Sequence, residues 1–144
     1  MEFDALIICD AVTVREGLIH ILGGGITRLW RATLPAPAAI MVAAVLELER
    51  DEITVPHELV VTVTSTVAGD TVINAVGGFQ GQGPAKLEPD ETQVFTMPFD
   101  FRQAGLMTYG RHDLTASVDG GVATLSKAFW LLHPDELGLP ALEL

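Results

Sequence analysis

Alternation of β-branched residues over positions 59–67 constrains the fold of this chain more than any other feature. Leu59, Val61, Val63 and Val67 fall on one side of an extended segment, and threonines fall on the other. A period of two is typical of a strand with one buried face and one exposed face. Helical periodicity is scarce in the rest of the sequence, so the chain is predicted to be all-β.

The clearest turn signal is Asp119-Gly120-Gly121, which separates two further alternating segments, 109–118 and 122–132. Glycine accepts the positive φ that tight hairpin turns require, so these segments are predicted to form a hairpin. Lys127 interrupts the apolar row of the second segment. A charged residue in such a row indicates either a bulge or an uncovered end of the strand.

Two other segments test the interpretation as strands. Residues 94–101 alternate, but Pro98 lacks an N–H, so this strand is expected at a sheet edge or broken at the proline. The alanine-rich segment 40–48 could be helix or strand, and the prolines before it favour strand. About eight or nine short strands at this spacing predict a two-sheet sandwich, C2-like or immunoglobulin-like, with residues 1–132 as a single domain.

The last residues, 133–144, depart from the strand pattern and are rich in proline and leucine. This tail is expected to pack either across its own domain or on a partner, and neither alternative is favoured. Together with Pro98, the candidate interface residues are Leu137, Leu139, Leu142 and Leu144.

The charge of the chain bears on its partners. Nineteen acidic residues against eight basic ones give a net charge of −11. Nucleic acids and anionic membranes are themselves negative, so neither is an expected partner. The least acidic stretch surrounds Arg28, Trp30 and Arg31, which are the candidate ligand contacts. The ordinary interpretation of such a stretch is solvated arginine at a strand end.

The single cysteine and the apolar segments bear on the compartment. Cys9 excludes an internal disulfide and is expected to be a small buried hydrophobe. No signal peptide is visible, because acids stand where a basic region would begin. The longest apolar run, 36–46, is short of the ~20 residues that a membrane helix needs. A reduced cytoplasmic protein is the expectation.

Motifs for catalysis or cofactor binding do not rise above background. Gly23–Gly25 is followed by a strand-like segment rather than the helix of a phosphate loop. The four histidines lack metal-ligand spacing, and no Gly-x-Ser-x-Gly motif is present. Acidic residues near 49–52 and 88–91 could bind Ca²⁺ if their loops converged, although solvated loops are the default. No catalytic, metal-binding or cofactor-binding residue is therefore predicted.

Short motifs spread over nearly the whole chain resemble a family of small bacterial proteins of unknown function. These motifs are Cys9-Asp10 near the start, Leu18–Gly24 in a following hairpin, Leu34-Pro35, Gly105 with Tyr109, and Val118-Asp119-Gly120. The resemblance implies a C2- or immunoglobulin-like sandwich and no activity. The chain departs from the family in a wider gap between Gly105 and Tyr109 and in a longer tail.

Three functions are compatible with these features. The first is a non-enzymatic protein-binding or assembly module that self-associates as a homodimer, since edge strands need no catalytic residues to bind. The second is a small-ligand or enzyme domain with a pocket between the sheets near Trp30, Tyr109 and Trp130. The third is a structural subunit of a larger assembly.

Overall fold

A computed structural model of the chain describes residues 1–83 and 87–137 and contains β-strands with one short 3-10 helix, Pro134–Leu137. The strands are β1 (Glu2–Cys9), β2 (Ala11–Arg15), β3 (Leu18–Leu22), β4 (Arg28–Trp30), β5 (Ala36–Pro37), β6 (Met41–Leu48), β7 (His57–Ser65), β8 (Thr71–Phe79), β9 (Gln93–Asp100), β10 (Gly105–Leu106), β11 (Gly110–Val118) and β12 (Ala123–Leu132). The all-β prediction is confirmed, with more strands than expected because short segments pair as well.

Two sheets form the body of the fold. One has three strands in the order β1-β6-β9, and the other has five in the order β4-β12-β11-β7-β8. Neighbouring strands are antiparallel except β4, which runs parallel to β12. Small two-stranded sheets, β2-β3 and β5-β10, complete the pairing among the described residues.

The core fills the space between the two sheets. Leu59, Val61 and Val63 of β7 are fully buried, as their alternation predicted. Their pairing partners on β11, including Leu114, are buried with them. Because paired residues of an antiparallel sheet share a face, the register makes one continuous apolar layer. Val67 is the exception: it lies beyond the end of β7 and is exposed, so its predicted place on the buried face was wrong.

Strand β6 is buried on both faces. Its inner side chains, such as Val42 and Ala44, join the core between the sheets. Its outer side chains, Met41 and Ala43, pack with Val12 under the β2-β3 hairpin. This third layer explains the small side chain of Ala43, which lets the hairpin approach closely. The preference for strand over helix at 40–48 is confirmed.

The predicted edge and the predicted hairpin both occur. Strand β9 ends the three-stranded sheet, so Pro98 lies in an edge strand as expected, opposite Ala43. Strands β11 and β12 pair over their whole length around the 119–121 turn, in which Asp119 and both glycines have positive φ. In residues 1–83 and 87–137, no helix has the length and hydropathy needed to cross a membrane.

Candidate functional site

Strand β8 forms an open edge of the five-stranded sheet. It pairs with β7 on one side, and no strand of residues 1–83 or 87–137 pairs with its other side. Its nine residues, 71–79, include no charged residue and no proline. Proteins usually protect edge strands with lysine, proline or a bulge directed outward, since unpaired backbone groups invite another strand. Strand β8 lacks the first two devices.

The side chains of β8 leave the edge accessible. Ile73 and Phe79 point into the core, whereas Val76 points outward and is 61% exposed. Gly77 lies against β9, and a Cβ added there would come within 2.6 Å of the Met97 Cε atom. The sequence does not single out this edge, because the interior strand β7 also lies in an uncharged segment, 59–69.

The outer face of the same sheet is rich in small hydroxyl side chains. Asn74, Thr62, Thr115 and Ser126 are aligned across β8, β7, β11 and β12 by the strand register. The hydroxyl oxygens of Thr115 and Ser126 are 3.0 Å apart and hydrogen-bond to each other. The uncharged character of the edge therefore continues across the middle of this face.

The interface residues predicted from the sequence lie elsewhere. Pro98 is exposed on β9, at the edge of the three-stranded sheet. Leu137 is the last residue of the 3-10 helix. The other three, Leu139, Leu142 and Leu144, lie outside the described residues. Their role in an interface stays a prediction.

The three predicted ligand contacts, Arg28, Trp30 and Arg31, differ in whether their side chains are already engaged within the fold. Arg31 donates hydrogen bonds to the carbonyl oxygens of Trp30, Pro37 and Ala38, at 2.8, 3.2 and 2.9 Å. Its guanidinium therefore holds the loop after β4 in place. Arg28 is exposed on β4, and Trp30 is half-buried at the end of that strand. A ligand contact by these residues stays a prediction.

The aromatic residues suggested for a pocket between the sheets do not share one face. Phe129 and Leu131 point into the core, so Trp130 between them points to the outer face, where it is 39% exposed. The Arg111 guanidinium lies 5.7 Å from its ring centroid. The Tyr109 hydroxyl instead donates to the Arg31 carbonyl oxygen at 2.8 Å. Trp130 therefore does not face the space between the sheets.

A cavity of about 250 Å³ is lined by residues of β1, of the segment before β4 and of β12. Its walls include the apolar residues Leu6, Ile8 and Ile26, and the exposed Lys127 also lines it. The pairing of β11 with β12 is continuous and has no bulge at this position. The lysine is exposed, but it lies in the middle of β12 rather than at an uncovered end of the strand, so neither predicted explanation holds as stated.

An ion pair between a buried histidine and an exposed aspartate lies at the opposite end of β12. His57 Nδ1 is 2.6 Å from an Asp119 carboxylate oxygen, and His57 Nε2 is 2.6 Å from the Glu52 carbonyl oxygen. Both acceptors require a proton on the ring nitrogen, so the ring is an imidazolium. Burial opposes this charge, but the hydrogen bond to Asp119 and that to the Glu52 carbonyl outweigh it and raise the pKa of His57. The pKa of Asp119 is lowered in turn.

His112 is the second buried histidine, and its surroundings favour the uncharged ring. It is fully buried and stacks on Phe129, with ring centroids 5.1 Å apart. Burial lowers the pKa of His112 more than the Gly110 carbonyl raises it. Nδ1 donates to that carbonyl at 3.1 Å, and Nε2 has no hydrogen-bond partner among the described residues. The sequence could not show that the pKa values of the two histidines shift in opposite directions. The shifts depend on burial and, for His57, on Asp119, which is 62 residues away.

The two acidic loops considered for Ca²⁺ are joined by a cation of the chain itself. Arg50 donates from Nη2 to the carbonyl oxygens of Leu87 and Glu88 and so ties the loop after β6 to the long loop before β9. Asp4 belongs to a different, exposed acidic group with Glu2 and Glu47. Partial desolvation of the Asp4 carboxylate and the negative charge of the neighbouring Glu47 raise the pKa of Asp4. Carboxylates thus repel each other there.

These features define a small β-sandwich domain with an open edge strand on its larger sheet. The chain belongs to DUF6941, a family of unknown function, whose sequence profile matches residues 4–126. This result confirms the resemblance to a family without an assigned activity. No curated protein matches the chain.

Proposed function

We propose that this chain is a non-enzymatic assembly module that self-associates through the edge of β8. The open, uncharged edge strand is the observation that carries the proposal. Two copies related by a twofold axis present the same strand to each other, which is the commonest symmetry of homodimers. Antiparallel pairing of the two β8 strands would join both five-stranded sheets into one continuous sheet.

Charge supports pairing at this edge rather than elsewhere. At a net charge of −11, two copies repel each other over most of their surfaces. Strand β8 has no charge to add to that repulsion, and its nearest flanking acid is Asp70. When the strands pair antiparallel about Ala75, Asp70 of each copy lies beside Gln80 of the other. The two aspartates are thereby kept apart.

Two groups that often act in catalysis, His57 and Cys9, are held in forms that support a role without catalysis. His57 donates from both ring nitrogens and so has no free lone pair to accept a proton. Cys9 is fully buried, and burial raises the pKa of its thiol, which keeps the thiol protonated and unreactive. A buried free thiol also agrees with residence in a reducing compartment such as the cytoplasm.

Light scattering after gel filtration tests the proposal. The wild-type chain at micromolar concentration is expected to have about twice its 15.4 kDa monomer mass. Val76→Lys places a charge beside the edge and is expected to give the monomer, because the two lysines would be diagonal neighbours across the twofold axis, where like charges destabilise pairing. Val122→Lys is the matched control, since Val122 is a similarly exposed valine, 66%, in the β11-β12 turn.

The control variant should keep the dimer mass. A wild-type chain that is monomeric at micromolar concentration would refute self-association. A dimer that survives Val76→Lys unchanged would place the interface at another surface, with the β9 edge around Pro98 the first to test by Pro98→Lys.

A further inference from the structure

We propose that the cavity between β1 and β12 binds a small apolar monocarboxylate, with Lys127 as the anion contact. The cavity is remote from β8, because β12 and β8 are separated by β11 and β7 in the five-stranded sheet. The proposal therefore stands independently of self-association.

The side chain of Lys127 extends from the inner face of its sheet. Its pairing partner on β11 is Leu114, which is fully buried in the core. Paired residues in an antiparallel sheet point to the same side, so the lysine starts on the apolar side. Lys127 has no carboxylate within ion-pair distance among the described residues, although acids outnumber bases in the chain. The cavity thus has an ammonium available for an anion from outside.

The free edge of β1 adds backbone hydrogen-bonding groups to the cavity. The Ile8 carbonyl oxygen accepts from the backbone N–H groups of Gly25 and Ile26, at 2.9 and 3.0 Å, and so points away from β6. In an antiparallel strand the N–H and C=O groups of one residue point to the same side of the strand. The groups of the residue two positions away point to that side as well. Leu6 therefore directs its N–H toward the open side, where it can donate to the second carboxylate oxygen.

The size and walls of the cavity select the rest of the ligand. Leu6, Ile8 and Ile26 supply an apolar lining, which suits a hydrocarbon chain or a ring. A volume of about 250 Å³ is just below the roughly 300 Å³ at which drug-sized pockets begin. A monocarboxylate of about eight carbons combines a suitable apolar volume with the charge that Lys127 requires.

Titration of octanoate into the full chain, followed by calorimetry and by amide NMR shifts, tests the proposal. Saturable binding is expected, with the largest shifts at Leu6, Ile8, Ile26 and Thr27. Lys127→Met removes the charge and is expected to weaken binding about tenfold, a change of about 1.4 kcal/mol, because a hydrogen bond to an ion contributes at least that much. Lys127→Arg keeps the charge and should bind within a few-fold of wild type.

Two controls separate a specific site from nonspecific adsorption. Octan-1-ol has the same chain without charge and should bind at least about tenfold more weakly than octanoate. Arg15→Met removes a cation from the β2-β3 hairpin, outside the cavity, and should leave octanoate affinity unchanged. Absence of octanoate binding to the wild-type chain, or equal binding by wild type and Lys127→Met, would overturn the proposal.

Discussion

Phe129→Ala is expected to lower the free energy of unfolding by about 3–5 kcal/mol, the cost of removing a large aromatic side chain from a packed core. Phe129 is fully buried between the two sheets and is among the largest such side chains. It also stacks on His112, so the substitution removes the apolar cover of a second buried ring. Urea denaturation followed by far-UV circular dichroism measures the change.

Trp130→Ala is the matched control for that experiment. The two aromatic residues are adjacent in β12, but Trp130 points to the opposite, outer face and is 39% exposed. Its ring lies 5.7 Å from the Arg111 guanidinium, and exposed cation–π pairs contribute about 0.5–1 kcal/mol, so we expect a clearly smaller loss than for Phe129→Ala. A loss for Trp130→Ala as large as that for Phe129→Ala would contradict the assignment of the two faces of β12.

The free energy of unfolding is also expected to depend on pH through the pair of His57 and Asp119. The folded pKa of His57 is raised from 6.5, so its contribution is complete below pH 6.5 and is lost as pH rises through the folded value. The folded pKa of Asp119 is lowered from 3.8, so its contribution is complete above pH 3.8 and is lost as pH falls through the folded value. The pair therefore stabilises the fold most between these limits.

Asp119→Asn tests this dependence. Asparagine tolerates the positive φ at this position, 49°, so the turn is preserved while the charge is removed. We expect a loss of about 1–2 kcal/mol near pH 5.5, since the pair is partly exposed at the aspartate, and a smaller loss near pH 9. Urea denaturation at both pH values gives the difference.

Asp113→Asn provides the matched comparison. Asp113 accepts a hydrogen bond from Arg111 at 2.8 Å, but both side chains are about half exposed, and such pairs contribute little. Its effect on unfolding should be small and nearly the same at both pH values. An Asp119→Asn variant with an equally flat profile would refute the ion pair between His57 and Asp119.

Local patterns in the sequence predicted local structure well. The alternation at 59–63 identified the buried face of β7, and the 119–121 turn identified the β11-β12 hairpin. Pro98 indicated an edge strand because one missing N–H is a local property. The prediction that Val67 belongs to the buried face was wrong because alternation does not show where a strand ends. The strand ends at Ser65, and the chain turns there.

Features that depend on distant pairing could not be predicted in this way. His57 and Asp119 are 62 residues apart, and the strand order alone brings them together. The openness of β8 likewise depends on which strands pair, since any of several segments could have covered that edge. Lys127 was noticed as an anomaly, but the walls of its cavity come from segments near residues 6–8, 25–27 and 127–128, which are distant in sequence.

The coverage of β6 by the β2-β3 hairpin has a consequence for the order in which the chain folds. The hairpin connects residues close in sequence and can form in about 1–10 μs. The surface that its apolar side covers forms only when β1 pairs with β6. In that pairing Cys9 lies opposite Met41 at one end, and Glu2 lies opposite Glu47 at the other. Such long-range pairing is the slow step of β-rich chains. The hairpin is therefore expected to dock late, and misassembly to be most frequent before β1 reaches β6.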